Sequence, residues 1–357
     1  MGRRLLITSG GTGGSNNLIR SLQAGDPSLE IVGCHDDPFI LKKSLADRKY
    51  LIPTSRGSRW ARALRHICWT EEIDLVIPTT DADVLAVSRI RDILRDRVFL
   101  PRPVAIERCQ DKYRLARFLR IHRLPAPATY PVRNLKRIDD TFRQLGRRSR
   151  VWCRIRRGTG SLGAIPVRNS EQARSWIEYW REMRGVLPTS FALSEYLPGR
   201  DLGCQSLWKD GRLVLIKTYE RLSYLGTGSQ PSQVSSVAAL AKTVVEPRVV
   251  EVSTRAVRAL DPKASGVFSI DLREDARGIP CITEINAGRF SSATTIFDLA
   301  GKHNMAVTYV CLALGEIVDV RKAYDAVEDY YMLRDIDAPP GIFHADDLFD
   351  GIEDARK

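Results

Sequence analysis

The chain of 357 residues carries 55 Lys and Arg against 43 Asp and Glu, a formal charge of +12, and is 43% hydrophobic; this allows two or three cores and excludes a disordered polymer. No run approaches the roughly 18 consecutive apolar residues of a membrane span, and Met1 to Gly10 reads as a strand rather than a secretory leader, so a cytoplasmic protein without membrane attachment is expected. The seven cysteines, at 34, 68, 109, 153, 204, 281 and 311, are scattered and free of C-x-x-C pairs, which excludes a disulfide framework or structural zinc site and predicts reduced, mostly buried thiols.

The first elements alternate. Residues 4–9 (RLLITS) form an apolar strand that runs into GGTGG at 10–14; residues 16–22 follow a helical pattern and 30–33 (EIVG) a second strand. A helix at 61–68, a strand at 74–78 (DLVIP), a helix at 83–96 and a short strand at 98–101 continue the series. Such alternation predicts a parallel sheet with helices on both faces, ending near Pro103. The glycine loop, with Asp36 or Asp37 about 20 residues on, admits an NAD-dependent oxidoreductase. Counted from Gly11, however, Asn16 occupies the place of the third glycine, which favours a plain turn or an anion site for something other than NAD.

Residues 111–121 (DKYRLARFLRI) are amphipathic and 124–129 (LPAPAT) break the pattern with prolines. Strands are expected at 150–155, 190–196, 202–209 and 212–219, with a helix at 171–183 and an Asp210-Gly211 hairpin turn. Strand-rich antiparallel segments after an α/β unit predict an α+β second domain. The arginine concentration at 143–157 (RQLGRRSRVWCRIRR) fits either nucleic acid or a smaller anion such as a nucleotide triphosphate. Trp152 is its lone aromatic, so the stacking platform of a single-strand binder is missing and the smaller anion is favoured. Directly after Arg154, Arg156 and Arg157 comes GTGSLG at 158–163, read either as a phosphate cover whose backbone N–H groups turn inward or as a hairpin turn.

The chemistry concentrates further on. VFSID at 267–271 and IPCITEIN at 279–286 read as adjacent strands that present Asp271, Glu284 and Asn286 as oxygen donors, with Ile282 and Ile285 left for packing. Two carboxylates and an amide oxygen suit Mg²⁺ held together with nucleotide phosphates. No Ser/His/Asp arrangement is evident, and the histidines at 35, 66, 122, 303 and 344 are dispersed, which gives them structural roles. In the segment 217–229 (KTYERLSYLGTGS), Arg221 is a candidate for bidentate carboxylate binding.

In this order the pieces resemble the ATP-grasp superfamily, most closely the carboxylate-amine ligases and the large chain of carbamoyl phosphate synthase, over about residues 4–320. GGTGGSNNLIRSL and DLVIPTTDAD are similar to the family's preceding domain, and Asp111-Lys112-Tyr113 to its DK motif. SEYLPG at 194–199 resembles the adenine hinge, and TEINAGRF the metal motif, here with Asn286 and Arg289 one residue further apart than in E-x-N-P-R. The resemblance implies a parallel α/β domain at 1–103 and an ATP-grasp domain at 104–322 with a lid at about 113–190, leaving 323–357 as a tail. It implies ATP held by Lys112, Arg154, Gly160, Ser161, Gly163, Glu195, Tyr196, Leu197 and Asp201. It further implies about two Mg²⁺ ions, with Mn²⁺ as a substitute, on Asp271, Glu284 and Asn286, and catalysis by Arg289, Arg154 and Arg221. The activity implied is ADP-forming ligation of a small carboxylate to an amine through an acyl phosphate, with a homodimer as one assembly state. A single motif set, without a second synthetase half or glutaminase, sets carbamoyl phosphate synthesis itself aside.

Overall fold

Residues 5–7, 31–32 and 75–77 are apolar on both sides, as strands covered on both faces require. In the computed structural model, which describes residues 2–54, 57–146, 149–226, 234–335 and 338–352, β1 (Arg4–Thr8), β2 (Glu30–His35), β3 (Arg48–Leu51) and β4 (Leu75–Ile77) pair in parallel in the order β3-β2-β1-β4. Leu5, Ile7, Ile31 and Ile77 pack on Leu18, Ile19 and Leu22 of α1 (Gly13–Gly25). Leu6, Val32 and Val76 face the other way. Beyond α2 (Pro38–Lys42), that second face is covered by Trp60 and Leu64 of α3 (Ser58–Thr70) and by Val84 and Val87 of α4 (Asp81–Arg89).

Two local expectations fail here. The helix expected over 83–96 is interrupted at Ile90, and α5 (Arg91–Leu94) ends where Arg95 turns to a φ of 52°. Residues 98–101 form no strand, because their carbonyls serve side chains instead of a ladder: Phe99 O accepts from Tyr309 Oη at 2.6 Å and Pro101 O from Arg91 Nη2 at 2.7 Å.

Next come α6 (Pro103–Cys109) and α7 (Lys112–Ile121), followed by a four-stranded antiparallel sheet. It contains β5 (Thr129–Pro131), β6 (Val151–Ile155), β7 (Ile165–Val167) and β8 (Phe191–Glu195) in the order β5-β8-β6-β7. Its inner face, Val151, Cys153, Phe191 and Leu193, packs on Ile138 and Leu145 of α8 (Ile138–Leu145) and on Ala173 and Ile177 of α9 (Ser170–Arg184).

A seven-stranded antiparallel sheet follows. It is built from β9 (Asp201–Lys209), β10 (Arg212–Tyr224), β11 (Ala238–Thr243), β12 (Gly266–Glu274), β13 (Pro280–Ala287), β14 (Tyr330–Leu333) and β15 (Gly341–His344) in the order β13-β12-β9-β10-β11-β14-β15. At the β9–β10 turn Asp210 and Gly211 take φ values of 50° and 81°, the left-handed pair that a tight hairpin needs. One face packs on Val249, Val252, Ala256 and Val257 of α10 (Pro247–Leu260). The other joins α1 and the N-terminal sheet in one core, through Leu207, Leu215 and Val267 and through Met305 and Tyr309 of α12 (Met305–Ala313), which follows the short α11 (Thr294–Leu299). The region read as a tail after residue 323 thus supplies two strands, β14 and β15, whose short aromatic runs carried no clear period-2 pattern. Among the described residues no helix is long and apolar enough to cross a membrane, and all seven cysteines are free, Cys311 alone being less than buried.

Candidate active site

β12 and β13 carry the expected donors, but a bulge reorders them. Asp271 pairs with Glu284 and Ser269 with Asn286, yet Leu272 pairs with Ile282, so Thr283 is an extra residue in β13. On a regular strand Ile282 and Ile285 would face opposite sides. The inserted Thr283 lets both pack in the core, at 1% and 2% exposure, while Glu284 stays partly exposed beside Asp271. Thr283 Oγ1 donates to Asp271 O at 3.1 Å and fixes the bulge. Burial pushes the Asp271 carboxyl up, Arg221 opposes this, and the carboxylates of Glu284 and Asp201 add to the rise.

Four cations close on this hairpin. Lys112, at the first position of α7, places Nζ 3.3 Å from Glu284 Oε1 and donates to Gly158 O at 2.7 Å. Arg154 reaches across from β6 and donates from Nη2 to the bulged carbonyl of Thr283 at 3.2 Å. Its Nε is buried without a hydrogen-bond partner, and burial lowers its pKa against the pull of Glu284 and Asp271. Arg289 bonds Asn286 Oδ1 at 2.5 Å through Nη2 and Asp81 Oδ1 through Nε. Arg221, expected as a carboxylate binder, is already paired: Nη2 donates to Asp271 Oδ1 at 2.5 Å and Nε lies 3.3 Å from Asp201 Oδ1. Burial works to lower its pKa, yet Asp271 and the other neighbours hold it well above its ordinary value.

GTGSLG forms the turn between β6 and β7. Gly158, Gly160 and Gly163 all take positive φ, as does Ser161 at 57°, and Gly163 O accepts from Trp176 Nε1 at 3.0 Å. The stretch 194–197 leaves the end of β8, where Glu195 N donates to Ala128 O at 2.8 Å and Glu195 Oε2 accepts from Ala128 N. Tyr196 packs near Trp152 under the Arg150 guanidinium, and Leu197 is buried. The neighbouring Pro125 O accepts from Ile282 N at 2.9 Å, so this segment and the donor hairpin meet. Asp201 opens β9 and is held by Arg221, Arg273 and Tyr224 Oη. Of the segment 217–229, residues 227–229 lie outside the described residues.

Several roles escaped the sequence reading, which named Asp111 only as part of a DK motif. Asp81, in the first turn of α4, clamps Arg289 across 208 residues of chain. Asp111 caps α7 by accepting from Tyr113 N and Arg114 N, and its buried carboxylate also accepts from Arg156 Nη2 at 2.7 Å, bracing the glycine loop against the helix that presents Lys112. Lys217, in the same segment as Arg221, forms a buried cluster with Asp325. Spacing to an acidic residue that begins a helix was the available signal for Asp81; nothing local pointed to its partner.

The donor set fits a divalent cation. Asp271, Glu284 and Asn286 offer hard oxygens, and each is held by a positive group, Arg221, Lys112 and Arg289 respectively. Among the described residues no three His, Cys, Asp or Glu side chains gather as a stand-alone metal site. The open grooves elsewhere, one of about 650 Å³ along Arg59, Arg62, Arg65 and Trp69 of α3, contain none of these residues.

No family model matches the sequence, and no curated protein matches it. Solved structures do. The L-amino acid ligase from Bacillus licheniformis superposes with a TM-score of 0.67 at 13% identity, over 92% of this chain and 78% of that one. The biotin carboxylase domain of the Hydrogenobacter thermophilus 2-oxoglutarate carboxylase gives 0.72 at 14%, over 93% and 74%. Carboxyaminoimidazole ribonucleotide synthase from Aspergillus clavatus gives 0.68 at 16%, over 93% and 81%. At these identities the likeness is one of fold, and the fold is ATP-grasp.

Proposed function

We propose that this ATP-grasp chain is an ATP-dependent, ADP-forming ligase that joins a carboxylate to an amine. The observation that carries the reading is Arg154: a buried guanidinium that spans from the four-stranded sheet to the bulge of the carboxylate hairpin and keeps an unpartnered Nε. A buried cation with free donors is stabilised by an anion placed there, and planar guanidinium donors suit phosphate. Lys112 and Arg289 flank the same hairpin. The structure neighbour from Hydrogenobacter thermophilus is bound to MgADP, ADP and bicarbonate, and the one from Aspergillus clavatus to ATP.

In this reading the nucleotide lies between the lid, the four-stranded sheet, and the donor hairpin, with the adenine edge at Glu195, Tyr196 and Leu197, the ribose near Asp201, and the glycine loop of Gly160, Ser161 and Gly163 over the phosphates. Mg²⁺ on Asp271, Glu284 and Asn286 would neutralise phosphate charge. Lys112, Arg154 and Arg289 orient the γ-phosphoryl and stabilise the charge that spreads over its oxygens. The substrate carboxylate oxygen bonds to the γ-phosphorus as the bond to the ADP oxygen breaks. The amine nitrogen then bonds to the acyl carbon, the phosphate leaves, and the amine gives up a proton. Arg221 holds Asp271 and Asp201 in place rather than binding substrate directly. The free thiols agree with a cytoplasmic enzyme.

Pairs of small acids and amines screened for ADP and phosphate release test the reading. Hydroxylamine should trap a hydroxamate from the correct acid, with one ADP formed per product. Glu284→Ala should keep the fold and lose turnover. Release of AMP and pyrophosphate, or turnover that survives Glu284→Ala, refutes it.

A further inference from the structure

The helix α3 carries charge that nothing else in the molecule answers. Its sequence, SRWARALRHICWT, contains three arginines and a histidine but no acidic residue, so no opposite-charge pair can form along it. Trp60, Leu64 and Ile67 face the core, which leaves Arg59, Arg62, His66 and Trp69, spaced by three and four, on the opposite face with Arg65 beside them. All five are exposed, and they line an open groove of about 650 Å³. Among the described residues no carboxylate lies within 4 Å of any of the three guanidinium groups, and the two acids that follow the helix are engaged elsewhere, Glu71 with Arg48 and Tyr50 Oη and Glu72 with Arg4. Trp69 is held in place: the Arg97 guanidinium lies over its ring at 4.9 Å and donates from Nε to Ile73 O at 2.7 Å, yet the residue remains half exposed.

A surface of opposite charge follows β15. There the chain turns three times in succession, with Leu348 N donating to Ala345 O at 3.2 Å, Asp350 N to Asp347 O at 3.0 Å and Ile352 N to Phe349 O at 2.9 Å. These turns hold out Asp346, Asp347 and Asp350 together with Leu348, Phe349 and Ile352, which are 48%, 58% and 59% exposed. Among the described residues only Asp346 meets a basic group, the ring of His344 at 3.3 Å; Asp347 and Asp350 meet none. A single exposed apolar side chain is ordinary, but three of them within five residues, rimmed by carboxylates, make a contact surface.

We infer that the α3 groove of one molecule receives the 346–352 turn of a second copy of this chain. Each surface is an uncompensated row of one sign, so bringing them together relieves repulsion on both, with Asp347 and Asp350 set against Arg59 and Arg62. Trp69 and Ala63 give the groove an apolar floor for Phe349 and Ile352, and arginine with tryptophan is the pairing that protein interfaces favour. Within one molecule no ion pair joins the two surfaces among the described residues, so the charges are answered between molecules. Reciprocal exchange, in which each copy gives its turn and receives the other's, closes a two-fold dimer. A nucleic acid would answer the arginines but leave the acidic, apolar turn unaccounted for. The contact is independent of the ligase reading.

Sedimentation velocity on the full chain tests the contact. Wild type should associate at micromolar concentration in low salt, and raising the salt to about 0.5 M should weaken association about tenfold or more as screening shortens the reach of the charges. Arg59→Glu combined with Arg62→Glu, and separately Asp347→Lys combined with Asp350→Lys, should each weaken it about thirtyfold or more, because like charges then face each other. An equimolar mixture of the two double variants should associate within about threefold of wild type, since the reversed helix meets the reversed turn and the native helix the native turn. A folding defect in either variant could not be repaired by mixing. Wild type that stays monomeric, reversals that leave association unchanged, or a mixture that stays dissociated overturns the proposal. A monomeric wild type that binds a single-stranded oligonucleotide, with binding lost in the helix reversal, overturns it as well and reassigns α3 to nucleic acid.

Discussion

Two buried charge clusters lie on the seven-stranded sheet, and they use the same residue types to opposite ends. Around Lys217 the ammonium lies 3.2 Å from Asp325 Oδ2 and donates to His303 O at 2.7 Å, and Asp325 accepts from Lys302 N and His303 N, both at 3.2 Å. Burial pushes the Asp325 carboxyl up, but Lys217 and the two backbone donors outweigh it and hold it below the usual range. The donors of that cluster are wired into a loop, and the buried atom it leaves without a hydrogen bond, Asp298 Oδ2, is an acceptor that offers nothing to an anion. Around Asp271 and Glu284 four cations close on the donor hairpin, and Arg154 among them keeps a buried donor unused. A closed charge cluster is a fastener. An open one is a place for a ligand.

The sharpest way to break this contrast is to remove one cation from each. Lys217→Met should destabilise the fold by about 3–5 kcal/mol, because it strands the carboxylates of Asp325 and Asp298 in the interior; denaturant titration measures it. Arg154→Met should leave the unfolding midpoint unchanged or raised, since an incompletely satisfied buried charge gives way to a packed apolar chain. Its turnover should drop about 10²–10³-fold, or roughly 3–4 kcal/mol of transition-state stabilisation. Equal stability losses in the two variants would erase the distinction.

Asp298 sharpens the picture of the closed cluster. It is buried, accepts from Met305 N at 2.6 Å, and burial lifts its carboxyl to about 6 against the attraction of Lys217. Folding therefore favours the protonated form. Its contribution is fully present below the ordinary value of 3.8 and is lost as pH rises through about 6, a change of roughly 3 kcal/mol. Asp298→Asn should remove this component, so the stability of wild type relative to the variant should fall between about pH 4 and 6 in parallel melts. The smallest effect belongs to the bulge. Thr283→Val loses the bond to Asp271 O and should cost about 1 kcal/mol, with a larger proportional effect on turnover than on the melting curve, because the bulge aims Glu284.

Much of the candidate site's arrangement was legible because its parts are local. Apolar runs marked β12 and β13, and residues two apart on β13 put Glu284 and Asn286 on one face of the strand. Asp111 preceding an amphipathic run marked the start of α7 and thus the place of Lys112. Thr283 was not legible as a bulge, since an extra residue in a strand is defined only by its partner strand. Nor was the occupation of Arg221 by Asp271 and Asp201, which lie on two other strands.

The amino-acid sequence by itself determined the period of each element, the glycine turns, the surplus of arginine and the short-range order of the oxygen donors, because these depend on neighbours within a few residues. Only the tertiary structure decided which charges are spent and which are free. Asp81 neutralises Arg289 across 208 residues, whereas no described carboxylate reaches Arg154. Whether a charge is paired depends on which elements pack together and how much water they exclude, and that is a property of the whole fold.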